Sequence, residues 1–297
     1  MFGFLNVDKP AGITSRAVVN RIERLVRPIK VGHAGTLDPL ATGVLVVALG
    51  PATRLIEYVQ RLPKTYHGAF LLGRQSDTED VEGTVIEIAG PNTPRREDIE
   101  AALPIFVGTI NQTPPAFSAI KVAGQRAYAM ARRGQVVELQ PRPVEVYSLE
   151  AVRYEYPSLE LLIRCGSGTY IRSLGRDLAT SLGTAAVMSQ LRRTAIGPFC
   201  VENATGLEDL ANSQAIAERL IAPLVSLGTM QRLVVSPQEA KGLIQGQGID
   251  ATGDNSSSAP TSPGNTEVAA ITESGELIAI LKCENGSLAP TKCFISG

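Results

Sequence analysis

Residues Val31–Gly50 read VGHAGTLDPLATGVLVVALG. The second half, Val44 to Leu49, is an unbroken apolar run rich in valine, the pattern of a strand buried on both faces. The first half sets Asp38 among glycines at 32, 35 and 43, with His33 five residues upstream. Asp before Pro39 is a common turn or helix-start pair whose carboxylate caps backbone N–H groups. Little room for a helix remains before Gly43 and the strand, and the glycines leave the backbone open to a ligand. Pattern by itself leaves Asp38 open between a turn residue and a nucleophile.

The chain has 297 residues, of which 44% are hydrophobic and 19% charged. That is the make-up of a globular protein with room for one large domain and a small one. Met1–Pro10 lacks a basic lead-in and a signal-length apolar segment, and no apolar run is long enough to span a bilayer. A cytoplasmic location and no membrane partner are expected. Cys165, Cys200, Cys283 and Cys293 are widely spaced without a C-x-x-C pair, which argues for buried free thiols over zinc or disulfides. With His33 and His67 the only histidines, no metal site is expected.

Net charge is −1, but it is unevenly spread. Residues 1–230 carry 24 Lys/Arg against 22 Asp/Glu, and residues 231–297 carry 4 against 7. Two segments are locally basic: Arg16 to Lys30 has five cations against Glu23, and Lys121 to Arg142 has five against Glu138. Each reads either as a solvated face or as a phosphate-contacting patch.

Thr14-Ser15 marks a helix start, followed by Val18, Val19, Ile22, Leu25 and Val26 on one apolar face, with Arg16, Arg21, Arg24 and Arg27 largely off it. Tyr66 to Leu72 and Thr84 to Ile88 read as strands around an acidic turn, residues 75–83. Arg95 to Leu103 reads as a short helix. Residues 111–142 have no clear period and several prolines and glycines, a long excursion of the kind usually functional or mobile. Val144 to Tyr154 and Leu159 to Cys165 read as a strand pair, Thr169 to Leu182 as a helix, and strand-like residues run on to Phe199. Residues 250–266 are low-complexity and read as a flexible insertion. Around them lie a helix near Ser236 to Ile244 and strands near Glu267 to Thr272 and Leu277 to Cys283. Strands and helices without regular βαβ alternation predict an α+β domain followed by a small β-rich one.

Six motifs in order carry a resemblance. DKPAGITS (Asp8–Ser15), VGHAGTLDPLATGVL (Val31–Leu45), KTYH (Lys64–His67), SAIK (Ser118–Lys121), GTYIRSLGRDL (Gly168–Leu178) and LRRTAIGPF (Leu191–Phe199) resemble the bacterial TruB family of tRNA pseudouridine synthases over about residues 2–230. The resemblance implies the pseudouridine synthase fold: a mixed, largely antiparallel central sheet with flanking helices and a long thumb loop at about 121–142. It implies a catalytic domain over 1–230 and a small PUA-like domain over 231–297. The implied activity converts the uridine at position 55, in the TΨC loop of tRNA, to pseudouridine without a guide RNA. The base is detached, turned and rejoined to the same ribose through carbon 5. No group is added and no electrons are exchanged, so no cofactor is expected, and no Walker or dinucleotide motif is present.

The resemblance assigns the attacking carboxylate to Asp38, with Arg172 as the cation expected to hold it anionic. The target base must be flipped out of a stacked loop. Tyr66 then corresponds to the active-site tyrosine that stacks on it and is expected to share in catalysis by proton removal at carbon 5, Tyr170 and Leu191 to pocket residues, and His33 to the residue filling the gap in the RNA stack. Asp80 is expected to orient Arg172, although the acids at 77, 79, 80 and 82 also suggest a solvated turn or a magnesium site. Lys121, Arg126, Arg132, Arg133 and Arg142 are expected to meet RNA phosphates. The acidic C-terminal part implies only an accessory tRNA contact, so a fragment ending near residue 230 is expected to keep its activity. Nothing demands an oligomer, and a monomer is expected. Three rivals remain: a guide-RNA-dependent subunit resembling the dyskerin family, a non-catalytic tRNA-binding or tRNA-folding protein, and a carboxylate-paired glycoside hydrolase, for which no second acid stands out.

Overall fold

The Val44–Leu49 run lies in the strand Thr42–Leu49, and both of its faces are covered. Leu45, Val47 and Leu49 pack under the helix Ser15–Val26 with Val18, Val19 and Ile22. Val44, Val46 and Ala48 pack on the other side with Ala52, Leu55 and Phe199. Two hydrophobic layers explain why the run does not alternate. In this computed structural model the described residues are 1–118, 120–122, 125–127, 130, 133, 135, 139–250, 267–284 and 286–294, with 121, 122, 126 and 284 described by their backbone only.

In chain order the strands are β1 (Gly3–Lys9), β2 (Val31–His33), β3 (Thr42–Leu49), β4 (Lys64–Leu72), β5 (Arg74–Gln75), β6 (Ile86–Glu87) and β7 (Gly108–Gln112). There follow β8 (Lys121–Val122), β9 (Gln125–Arg126), β10 (Arg142–Glu155), β11 (Ser158–Cys165), β12 (Ala186–Ile196), β13 (Phe199–Cys200) and β14 (Thr205–Gly206). The large sheet runs β14-β1-β3-β12-β4-β11-β10-β7, with β2 on β3 and β13 on β12. Most neighbours are antiparallel; β1 with β14 and β3 with β12 are parallel. The β3–β12 contact is short, Arg192 opposite Thr42 and Arg193 opposite Gly43. Such close approach requires a glycine: Gly43 has φ +96°, and a Cβ there would lie 2.2 Å from the Arg193 carbonyl oxygen.

Along β4 burial alternates strictly, so Lys64, Tyr66, Gly68, Phe70 and Leu72 share the inner face. The helix Ile171–Ser181 covers that face and puts Gly175 where a Cβ would meet the Phe70 ring at 2.1 Å. The helix Ser15–Val26 begins as expected: Thr14 Oγ1 accepts from Ala17 N at 3.1 Å, and Arg16, Arg21, Arg24 and Arg27 are exposed.

The C-terminal sheet runs β15 (Arg232–Val234), β17 (Glu267–Ile271), β18 (Leu277–Glu284), β19 (Ser287–Cys293) and β16 (Ile249–Asp250). The helix Pro237–Ile244, capped by Ser236 Oγ and Glu239, contributes Leu243 to this sheet's core. The small sheet is fused to the large one. Ala269, Ile271, Leu277, Ile280 and Phe294 share one hydrophobic cluster with Phe4, Val44 and Val59, and Phe294 stacks on Phe2 at 5.4 Å.

Several expectations change. The strand expected over Thr84–Ile88 shrinks to Ile86–Glu87, because only those residues form a ladder, with β5. β1, unforeseen, lies next to the sheet edge, between β14 and β3, and pairs with β3 from Gly3 to Lys9. Arg142 opens β10 and is bonded to the sheet, so the irregular excursion ends before it. Of the four free cysteines only Cys165 is buried; the other three are partly exposed. The insertion expected at 250–266 lies outside the described residues beyond Asp250. Among the described residues, no helix is long and apolar enough to cross a membrane.

Candidate active site

The Asp38 loop is held by its main chain, which frees its carboxylate. Ser15 Oγ donates to the Leu37 carbonyl at 3.0 Å and accepts from Leu37 N at 2.8 Å. Gly12 N donates to the Pro39 carbonyl at 2.9 Å. Lys9, fully buried, donates to the carbonyls of Pro10 at 2.8 Å, Ile13 at 2.7 Å and Pro39 at 3.4 Å. Asp38 accepts from Ala41 N through its carbonyl, at 3.1 Å, and so closes a turn without using its side chain. That side chain is 40% exposed, and its Oδ2 lies 3.1 Å from Arg172 Nη2.

Arg172 stands in the first turn of the helix Ile171–Ser181 and is buried. Its Nη1 donates to the Thr78 carbonyl at 2.7 Å and to Asp80 Oδ2 at 3.2 Å, and its Nη2 to the Phe117 carbonyl at 3.1 Å. Asp80 is 3% exposed; its Oδ1 accepts from Thr78 Oγ1 at 2.6 Å and from Glu82 N at 3.1 Å. The acidic turn is therefore not simply solvated. Glu79, at φ 63°, accepts from Ser173 Oγ at 2.9 Å and from Arg176. Burial pushes its carboxyl up while Arg176 opposes the shift. The turn is also stitched to β12, with Met188 N on the Glu79 carbonyl at 3.0 Å and Val81 N on the Met188 carbonyl at 3.0 Å. Two of its acids thus hold arginines, and no group of acids able to hold a metal occurs among the described residues.

A cavity of about 310 Å³ opens beside Asp38. Tyr66, Leu191, Tyr170 and Arg172 line it, so the structure brings five of the six principal residues singled out in the sequence to one place. Burial pushes the Tyr66 phenol up, and Arg193, whose guanidinium lies 6.0 Å from the ring centre, pulls it the other way. Tyr170 is fixed by Gln112, which accepts from its N at 2.8 Å and donates to its carbonyl at 3.0 Å.

His33 is the sixth, and it is not on the cavity wall. It sits in β2 opposite Val47, and burial, reinforced by Arg16, pushes its imidazole below the ordinary value. Among the phosphate candidates, Arg142 lines the cavity, stacking 5.1 Å from the Tyr170 ring centre and donating to the Gly168 carbonyl at 2.6 Å. Arg133 is exposed, with Gln125 Oε1 at 3.5 Å. Arg132 and the side chains of Lys121 and Arg126 lie outside the described residues.

Two further cavity residues, Lys64 and Arg193, were not singled out from the sequence. The signal was period two: Lys64 precedes Tyr66 by one strand repeat, and Arg193 follows Leu191 by one. Buried lysine and arginine are rare enough that such positions are ordinarily read as outward-facing.

With this geometry in place, comparison with known proteins decides the family. Residues 23–171 match the TruB family pseudouridylate synthase N-terminal domain, and residues 172–236 the tRNA pseudouridylate synthase B C-terminal domain. A protein of Caulobacter sp. (strain K31) named tRNA pseudouridine synthase B is 40% identical, the alignment covering 98% of this chain and 96% of that one. The protein of the same name from Gloeobacter violaceus is 39% identical over 98% of each.

The chain belongs to the TruB family.

Among solved structures, a Cbf5–Nop10–Gar1 complex aligns at TM-score 0.76 and 26% identity, covering 99% of this chain and 85% of that one. The large mixed sheet with its β-rich C-terminal part is thus a pseudouridine synthase architecture, as the motifs implied.

Proposed function

We propose that this chain converts the uridine at position 55 in the TΨC loop of tRNA to pseudouridine, acting as a cytoplasmic monomer without a guide RNA. The observation that carries this reading is the Asp38 carboxylate, which opens on the cavity while Arg172 holds it at 3.1 Å. A cavity of about 310 Å³ is on the scale of one extruded nucleoside. Asp38 supplies the carboxylate that attacks the nucleoside or assists loss of its base. Arg172, itself oriented by Asp80, fixes the direction of that carboxylate. Tyr66 and Leu191 hold the detached ring while it turns. Residues 1–230 act as the catalytic domain and residues 231–297 as an accessory tRNA contact, with basic side chains of the 121–142 segment meeting phosphates.

The test is Asp38→Asn with purified protein and a bare tRNA transcript, followed by nucleoside analysis. Pseudouridine at position 55 is expected with the parent protein and none with the variant, while tRNA binding persists. Turnover by the variant would place the nucleophile elsewhere. Turnover only with an added guide would favour the guide-dependent alternative.

A further inference from the structure

Two buried cations face the cavity, and among the described residues neither is paired with an acid. Lys64 is 6% exposed and Arg193 is 2% exposed, and both line the cavity that holds Asp38. Arg193 donates to three neutral carbonyls: Val44 at 2.7 Å, Gly35 at 3.1 Å and Thr36 at 3.5 Å. Lys64 Nζ donates to the Gln60 carbonyl. Among the described residues, neither cation forms an ion pair with a carboxylate, whereas Arg172 has two. Cys165, opposite Lys64 in the β4–β11 register, offers no compensation, since burial pushes its thiol up to about 11. Uncompensated buried charge is costly, and a site that keeps it is poised for an anion.

The reaction proposed above generates such an anion. When the C1′–N1 bond breaks, its electron pair stays with the base, and the uracil ring carries a negative charge spread over N1, O2 and O4. Attack of Asp38 on the ring instead would also leave that ring negative. Bond formation from C5 to C1′ consumes the pair, C5 releases a proton and N1 takes one up, so the overall change is an isomerisation. Charge that exists only between these events is stabilised best by fixed cations in a dry site.

We infer that Lys64 and Arg193 form a cationic wall that stabilises the negative charge of the detached uracil, with Lys64 a catalytic residue. The strand geometry supports the pairing. Arg193 stands opposite Tyr66 in the β4–β12 register, and Lys64 lies one repeat from Tyr66 on the same face. The two charges therefore flank the ring on which the base is expected to stack. This inference rests on the pseudouridine synthase reading, and the experiment separates the two.

Lys64→Met keeps most of the length of the side chain and removes its charge. Single-turnover loss of the N-glycosidic nucleoside is compared on tRNA carrying uridine and on tRNA carrying 5-fluorouridine at the target position, whose fluorine stabilises the base anion and blocks only the later proton release from C5. The expected fall in rate is about 100-fold on uridine and about 10-fold or less on 5-fluorouridine. Lys64→Arg, which restores the charge, is expected to recover most of the rate. Equal losses on the two substrates, or a rate within about twofold of the parent, overturn the inference. Should Lys64→Met fail to fold, Lys64→Gln and Lys64→Arg give the same comparison. An inactive parent protein would overturn the functional reading and this inference with it; an active parent with an unimpaired variant overturns this inference alone.

Discussion

Asp80 and Asp38 bind opposite ends of one guanidinium, Asp80 at 3.2 Å on Nη1 and Asp38 at 3.1 Å on Nη2 of Arg172. One of these acids is 4% exposed in its side chain and the other 40%, so the arginine ties a buried acid to one that meets the cavity. The buried acid cannot touch substrate, and its effect on chemistry passes through the arginine.

Asp80→Asn is therefore expected to lower the single-turnover rate by about 10- to 100-fold while tRNA affinity stays within about twofold. The remaining amide can still accept from Arg172 but no longer balances its charge. A loss of affinity with an unchanged rate would contradict this role.

The β3–β12 junction gives a stability prediction. Gly43→Ala combines a φ of +96° with a Cβ placed 2.2 Å from the Arg193 carbonyl. A loss of at least about 2 kcal/mol is expected in urea denaturation, because neither strand can retreat without moving Asp38 or Arg193. A variant of unchanged stability would show that the junction yields easily.

Activity should fall on the alkaline side. Burial, reinforced by Arg193, pushes Lys64 down to about 8, while Cys165 opposes the shift. Because the pKa is lowered, the ammonium is present below about pH 8 and lost above it. The groups facing it are Arg193 from β12, Cys165 from β11, and Tyr66 and Asp38 at the cavity, and both Tyr66 and Cys165 have their pKa raised by burial. The rate is expected to decline as pH rises from about 7.5 to 9, and Lys64→Arg to decline less over the same range. Parallel profiles for the two proteins would assign the decline to another group.

The expectation that a fragment ending near residue 230 keeps its activity meets a structural obstacle. The shared core places Leu277, Ile280 and Phe294 against Phe4 and Val59, and Lys292 Nζ lies 2.7 Å from Glu57 Oε1. Glu267 Oε1 accepts from Tyr58 OH at 3.0 Å. Removal of residues 231–297 would re-expose that apolar face, and thermal melting of the 1–230 fragment should show a Tm at least about 5 °C lower. An unchanged Tm would mean that the two sheets fold independently.

The sequence by itself singled out residues that gather around one cavity. Asp38, Tyr66, Tyr170, Arg172 and Leu191 sit in short motifs whose order is specific, and local pattern was enough to place the Ser15–Val26 helix and the buried β3 run. Local rules reach that far because capping and apolar periodicity act over a few residues. The ends of the chain and its polar strands escaped them: β1 reads as an unremarkable N-terminus, yet its seven residues pair along β3.

Only the tertiary structure decided which charges are buried and whom they meet. The sequence points Asp80 at Arg172 but leaves its turn open to solvent; the fold buries it and stitches that turn to Met188. Lys64 and Arg193, not singled out in the sequence, are brought to the cavity of Asp38 by β4 and β12, and Arg142 leaves the excursion to stack on Tyr170. Burial and ion pairing depend on residues more than a hundred positions apart, such as Tyr66 and Arg193, which become neighbours only when the sheet closes. No local rule carries that information, and the electrostatics of the cavity follow from it.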